Sequence, residues 1–119
     1  MNDDKLYLLQ ILECMRQIQE YTRSGREAFM CTRMAQDAVI RNFEIIGEAT
    51  KRVSDTLREK HPELPWRRVA GFRDVLIHQY DRVDLDEVWN IVEREVPDLK
   101  SKIEAILRAL GGEPPKANP

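Results

Sequence analysis

Apolar residues recur at intervals of three and four along almost the whole chain, and this spacing constrains the fold more than any other feature. The first segment carries the stripe of an amphipathic helix at Leu8, Ile11, Leu12, Met15 and Ile18. No stretch shows the apolar–polar alternation that is typical of a strand. The sequence therefore predicts an all-α fold, and its short connections favour an up-and-down helical bundle.

Turn and capping signals predict where the first helices begin and end. Gly25 ends the first helix, and Ser24 with Glu27 has capping-box spacing for a short helix to about Arg33. A long helix is predicted from roughly Thr32 to Lys60, because only the isolated Gly47 punctuates it. Its expected apolar face consists of Met34, Ala38, Ile45, Ala49, Val53 and Leu57.

The second half of the chain is predicted to hold three more helices. Pro65 suits the first position of a helix from Trp66 to Tyr80. Asp84 and Glu87 have capping-box spacing for the next helix, which Pro97 is expected to interrupt. The last helix ends at Gly111-Gly112.

Composition narrows the class of protein. A length of 119 residues suits one domain, predicted over residues 1–112, with residues 113–119 as a flexible tail because EPPKANP has no apolar side chain to bury. The 19 basic and 21 acidic residues nearly balance, which excludes a wholesale basic nucleic-acid binder. No apolar run approaches a membrane span of about 20 residues, so we expect a cytoplasmic protein that does not bind membranes.

The two cysteines of the sequence argue against a disulfide or metal centre. Cys14 and Cys31 both fall inside helical patterns, lack a basic partner by spacing, and are interpreted as buried small apolar residues. Neither a disulfide framework nor a zinc site is expected. We therefore predict neither a metal nor another cofactor.

The segment RDVLIHQY, Arg73 to Tyr80, carries the chemistry. On a helix with about 100° per residue and Arg73 at the origin, Asp74 lies near 100° and His78 near 140°. Asp74 and His78 would then be neighbours one turn apart, so the carboxylate could hold one imidazole nitrogen. The wide angle between Arg73 and His78 means that they meet only around something lodged between them.

An arginine and a histidine suit the cleavage of an RNA phosphodiester. Histidine can take the proton from a 2′-hydroxyl or give one to the leaving oxygen, and arginine can hold the phosphate by two parallel hydrogen bonds. Spacing alone leaves a plainer alternative open: an exposed Asp74–His78 pair, with Arg73 in a surface ion pair.

Two motifs together resemble a known family. RDVLIHQY, with PWRRVAG before it and VDLDEVWNIVEREVPDL after it, resembles the HEPN family in its HepT-like toxin branch, which has an Arg-x4-His-x-Tyr signature. The stretch AVIRNFEIIGEATKRV resembles the long helix of that branch. The resemblance covers roughly Leu6 to Leu110, with no departure at the signature positions.

The resemblance implies a HEPN-like homodimer whose two Arg-His motifs line a shared cleft. It implies a metal-independent ribonuclease, the toxin of a type VII-like toxin–antitoxin pair, with Arg73 and His78 as its catalytic residues. In this branch an MntA-like nucleotidyltransferase antitoxin adds AMP to the signature tyrosine, here Tyr80, and transfer RNA is an associated substrate.

Two readings compete with an RNA-cleaving toxin, and some polar residues are harder to assign. The chain could be a non-catalytic HEPN dimer that serves as a scaffold for a nucleotidyltransferase, or a plain structural bundle. Arg41, Glu44 and Glu48 share one face of the long helix, where they are either a solvated surface or part of a site. Asn42 and Glu44 are candidates to line the cleft beside Arg73.

Overall fold

Helices make up nearly all of the described chain. The computed structural model describes residues 3–78 and 82–111, with the backbone alone for residues 77, 78 and 82. The other regular elements of this part of the chain are a hairpin, whose two strands have two residues each, and a π-helical segment, Ile91–Glu95. The elements in order are α1 (Asp4–Tyr21), α2 (Arg26–Cys31), α3 (Arg33–Arg52), α4 (Asp55–Lys60), α5 (Trp66–Ala70), α6 (Phe72–Leu76), β1 (Ile77–His78), β2 (Arg82–Val83), α7 (Leu85–Asn90) and α8 (Val96–Ala109). The predicted all-α class is confirmed.

Helix α1 lies at the centre of the bundle. The five apolar residues of its predicted stripe are all at most 1 % exposed, and they pack between α3 on one side and α8 on the other. Full burial of such a side chain contributes about 1.5–3 kcal/mol. The stripe that the sequence predicts in α1 is therefore the core of the fold.

The buried face of α3 differs from the predicted one. Met34 is 83 % exposed, and Ile45 is only half-buried. The apolar pattern did not predict the buried face, because two polar residues, Gln36 and Asn42, lie on it. Both are buried and bond to carbonyl groups. Gln36 Nε2 donates to the carbonyl oxygens of Phe29 and Met30 at 3.0 Å each. The apolar residues of this face are Val39, Phe43, Ile46 and Ala49.

The predicted long helix is broken between α3 and α4. Val53 is extended and Ser54 caps α4, its Oγ accepting from Leu57 N at 3.2 Å. Asp4, in the first turn of α1, is 3 % exposed and accepts from Ser54 N at 2.8 Å and from Ser54 Oγ at 2.6 Å. This long-range contact satisfies the freed backbone, so a single helix to Lys60 was a wrong prediction.

Two further predictions about helix ends need correction, and a third is confirmed. The short helix α2 starts after Gly25, whose φ is 95°, and the predicted cap at Ser24 makes no side-chain capping bond. Pro97 does not end a helix; it lies in the first turn of α8, directly after the π-helical segment. A π turn can absorb the hydrogen bond that proline cannot donate. The predicted cap of α7 is confirmed, since Asp84 Oδ1 accepts from Glu87 N at 3.1 Å.

The predicted helix from Trp66 to Tyr80 is two short helices followed by an extended segment. Gly71 separates α5 from α6, and the chain then pairs antiparallel, Ile77 with Val83 and His78 with Arg82. The carbonyl of Leu76 accepts from Asp84 N at 3.0 Å, where a continuing helix would use the amide of residue 80. The hydrogen bond from Asp84, the N-cap residue of α7, therefore replaces the next helical bond, and α6 ends at Leu76.

Gly47 lets α5 approach α3. A β-carbon at this position would lie 3.0 Å from the backbone oxygen of Ala70, closer than most real β-carbon contacts. The glycine that appears isolated in the sequence is thus the point where the two helices meet. It brings α5, and with it α6, against the face of α3.

Candidate active site

An open groove of about 340 Å³ lies between α1, α3 and α6. Four of its side chains are charged residues of α3, spaced three, four and four residues apart, so that they share one face of the helix. The groove is lined by Gln10, Arg41, Glu44, Ile45, Glu48, Ala49, Arg52 and Arg73. The predicted common face of Arg41, Glu44 and Glu48 is confirmed.

Arg73 reaches this groove because its neighbour in α6 is anchored in the core. Phe72 is fully buried and packs edge-on against Phe43 of α3, with ring centroids 5.4 Å apart at 84°. The next residue on a helix points about 100° away. Arg73 therefore projects outward at the edge of the groove.

The charge around Arg73 is only loosely satisfied. Its Nε lies 4.0 Å from Glu44 Oε2, and Arg73 is 62 % exposed. Arg41 Nη1 lies 3.8 Å from the same oxygen. Both distances exceed hydrogen-bond length, and such exposed ion pairs contribute about 0–1 kcal/mol. Neither contact uses the guanidinium N–H groups that bind a phosphate oxygen.

His78 follows α6 on an extended strand instead of a helix. Its backbone pairs with Arg82 in the hairpin, and Asp74 is exposed on α6. The helical-turn argument that made Asp74 and His78 neighbours is therefore wrong, as is the helical angle between Arg73 and His78. A supporting role for Asp74 and a catalytic role for His78 stay predictions.

The structure separates the remaining site candidates. Glu44 lies in the groove beside Arg73, and its role in a cleft stays a prediction. Asn42 does not line it: the side chain is 6 % exposed and its Nδ2 donates to the carbonyl of Ala38 at 2.8 Å. Tyr80 lies outside the described residues.

The remaining side chains of chemical interest are the two tryptophans, the two cysteines and His61. Trp66 and Trp89 are core residues, at 8 % and 7 % exposure. Cys14 is buried, and desolvation raises the pKa of its thiol from 9.0 to about 11, whereas Cys31 is exposed, contrary to the prediction. His61 is partly buried, with Nδ1 2.9 Å from Glu63 Oε2.

Arg68 has a role that the sequence did not reveal. Its Nε and Nη2 donate to Glu95 Oε1 and Oε2 at 2.7 and 2.6 Å, and its guanidinium lies 5.9 Å from the centre of the Phe72 ring. The bond to Glu95 raises the pKa of Arg68 above its ordinary value. Arg68 thus ties α5 to the π-helical segment. The partners are 27 residues apart, so no local pattern could have indicated the pair.

A protein-family model described as "Ribonuclease HepT-like" matches residues 11–106. The chain belongs to the HepT-like family. The matched residues include α3, α6 and the whole Arg-x4-His-x-Tyr segment, so the signature and every groove residue except Gln10 lie within the family region. No solved structure matches the chain.

Curated proteins similar to this chain agree with this assignment. A Thermococcus cleftensis protein named "Probable ribonuclease HepT" is 45 % identical over 103 residues, covering 86 % of this chain and 94 % of its own. A Methanocaldococcus jannaschii protein named as an RNase is 40 % identical over 111 residues, 92 % of both chains. A second protein of that organism, named for γ-glutamylcyclotransferase and RNase, is 44 % identical over 109 residues. Those residues are 91 % of this chain and 49 % of that relative, so the chain spans about half of the relative's length.

Within the described part of this HepT-like chain, no group of three or more His, Cys, Asp or Glu side chains is placed to hold a metal ion. None of the helices described here is long and apolar enough to cross a membrane.

Proposed function

We propose that this chain is a metal-independent, cytoplasmic endoribonuclease that acts as the toxin of a type VII-like toxin–antitoxin pair. The observation that carries the proposal is the placement of Arg73 at the groove, with its contact to Glu44 too long to use its hydrogen-bond donors. Membership of the HepT-like family and the ribonuclease names of its relatives support the same activity.

In the proposed reaction, the 2′-oxygen of a ribose attacks the adjacent phosphorus, and the bond from phosphorus to the 5′-oxygen breaks. His78 removes the proton of the 2′-hydroxyl. Arg73 donates to the phosphate oxygens, where negative charge grows in the transition state. The 5′-oxygen leaves with a proton, which a second His78 supplies across the cleft of a homodimer. The products are a 2′,3′-cyclic phosphate and a 5′-hydroxyl.

A homodimer with a shared cleft is part of the proposal. The groove is open, and Leu6, one turn before Gln10 on α1, is 62 % exposed, which suits a surface that a second copy covers. A twofold interface would place each Arg-His motif twice around one cleft. Light scattering at micromolar protein should give twice the 14.0 kDa mass of one chain. A 14 kDa species alone would contradict the dimer.

The proposed substrate is an RNA, with transfer RNA as the first class to test. The proposed regulator is a nucleotidyltransferase antitoxin that adds AMP to Tyr80. Tyr80 follows His78 by two residues, so a nucleotide attached there would carry its phosphate close to the catalytic pair. Tyr80→Phe should remain toxic yet gain no AMP mass on co-expression with the cognate nucleotidyltransferase. An adduct on Tyr80→Phe in intact-mass spectrometry would move the switch elsewhere.

Growth of cells that express the chain tests the toxin directly. The wild-type protein should arrest growth, and His78→Ala or Arg73→Ala should restore it. His61→Ala is the matched histidine control. Arg23→Ala is the arginine control, because Arg23 is exposed just after the end of α1 and its partner is Glu20. Unchanged growth arrest by His78→Ala would overturn the mechanism. No growth arrest by the wild-type chain would favour the alternative of a non-catalytic dimer that serves as a scaffold for a nucleotidyltransferase.

A further inference from the structure

The α3 wall of the groove carries two arginine–glutamate sets, and they differ in their relation to Arg73. The first set is Arg41 and Glu44, whose carboxylate is also 4.0 Å from Arg73. The second is Glu48 and Arg52. Glu48 Oε1 lies 3.7 Å from Lys51 Nζ, and Arg52 lies eight residues beyond Glu44, about 12 Å along the helix axis. The two sets have the same charge and line the same groove.

Glu44 brings two cations to one point. Arg41 Nη1 and Arg73 Nε lie within 4.0 Å of the same atom, Glu44 Oε2. The guanidinium groups would otherwise repel each other. The carboxylate of Glu44, which is 35 % exposed, offsets this repulsion.

The arginines remain able to bind an anion while Glu44 holds them. Arg41 and Arg73 are 70 % and 62 % exposed, and both contacts are longer than hydrogen bonds. A phosphate in front of the two side chains can accept from both guanidinium groups, because one phosphate presents several oxygens at charge-assisted distances of about 2.7–2.9 Å.

We propose that Arg41 is a second phosphate-binding residue of the active site, and that Glu44 is the positioning residue that keeps Arg41 and Arg73 together. The ligand is the RNA phosphodiester that Arg73 binds. The assignment rests on the proposed function, because it takes Arg73 as the phosphate-binding arginine.

Binding of a 2′-O-methyl RNA oligonucleotide, which lacks the attacking hydroxyl, tests Arg41 without cleavage. Arg41→Ala should weaken affinity of the full-length protein at least fivefold more than Arg52→Ala, which removes the same charge from the same groove. The dependence of log Kd on log salt should become shallower by about 0.7 for Arg41→Ala and stay unchanged for Arg52→Ala. Equal losses and equal slopes for the two variants would overturn the proposal.

The matched glutamates test the positioning role. Glu44→Gln and Glu48→Gln each remove one negative charge from the groove, so any general gain in attraction for RNA is shared. We expect kcat for RNA cleavage to fall about fivefold or more in Glu44→Gln relative to Glu48→Gln, with Glu44→Asp recovering part of the loss. Equal kcat values would overturn the role of Glu44. Thermal unfolding should be alike in both variants, since neither side chain is buried.

The binding and cleavage results separate this inference from the ribonuclease proposal. If the wild-type protein binds the oligonucleotide through Arg41 but cleaves no RNA, the phosphate site stands and the ribonuclease proposal fails. If it cleaves RNA, with cleavage dependent on Arg73 and indifferent to Arg41, the ribonuclease proposal stands and the second phosphate contact fails. Absence of oligonucleotide binding by the wild-type protein would overturn the phosphate site.

Discussion

Gly47→Ala should destabilise the protein, although a rule based on helix propensity predicts the reverse. Alanine is favoured over glycine inside a helix by about 1 kcal/mol. At Gly47, however, the new β-carbon meets the backbone oxygen of Ala70 at 3.0 Å, and a backbone atom cannot rotate away. Overpacking of this kind costs about 1–3 kcal/mol. With a midpoint of about 2 kcal/mol for the clash, the net expectation is a loss of about 1 kcal/mol.

The same substitution should impair RNA cleavage. Relief of the clash moves α5 away from α3, and α6 follows directly after Gly71, so Arg73 moves relative to Glu44. Misplacement of a catalytic group by 1 Å can reduce the rate by about 10². We expect a partial shift and a fall in kcat/KM of about tenfold.

Urea denaturation measures the stability effect, and a neighbouring position calibrates it. Glu48 is exposed on the same helix, so the difference between Glu48→Ala and Glu48→Gly gives the local preference of α3 for alanine over glycine. If Gly47→Ala stabilises the protein by that full difference, the close approach of α5 to α3 does not constrain the fold and the reasoning is refuted.

Two other predictions concern buried groups of α1. Asp4→Ala should lower the free energy of unfolding by about 3–6 kcal/mol, because hydrogen bonds to a charged group contribute about 1.5–3 kcal/mol each and two bonds to Ser54 are lost. Asp3→Ala, at the exposed neighbour without a side-chain capping bond, is the control, and equal losses in urea denaturation would contradict the role of Asp4. Stability should also fall as pH rises from 9 towards 11, because the pKa of Cys14 is raised from 9.0 to about 11 in the folded state, so the unfolded state loses its proton first. Cys14→Ala should show a smaller fall over this range, and an identical pH dependence would contradict the assignment.

Local patterns predicted those parts of the fold that depend on neighbouring residues. The stripe of α1 and the Asp84 cap of α7 each follow from residues within a few turns of one another. The end of the first segment of the long helix does not, because Asp4 stabilises the break at Ser54 from 50 residues away. The end of α6 likewise depends on the bond from Asp84 to Leu76 across the hairpin.

The site divides in the same way. Helical spacing was sufficient to place Arg41, Glu44 and Glu48 on one face, because all three belong to α3. The relation of Arg73 to that face depends on Phe72 packing against Phe43 and on the close approach at Gly47. These contacts join separate elements, and no spacing within the sequence reports them.

Cleavage of RNA by the purified protein in the presence of EDTA tests the central claim most directly. Transfer RNA incubated with the wild-type chain should be cut to fragments with 2′,3′-cyclic phosphate and 5′-hydroxyl ends. His78→Ala should slow cleavage by about 10²–10⁴, as expected for loss of a general acid–base, and Arg73→Ala should also reduce it strongly, while His61→Ala should cleave normally. Loss of cleavage on chelation, or an undiminished rate in His78→Ala, would contradict the account.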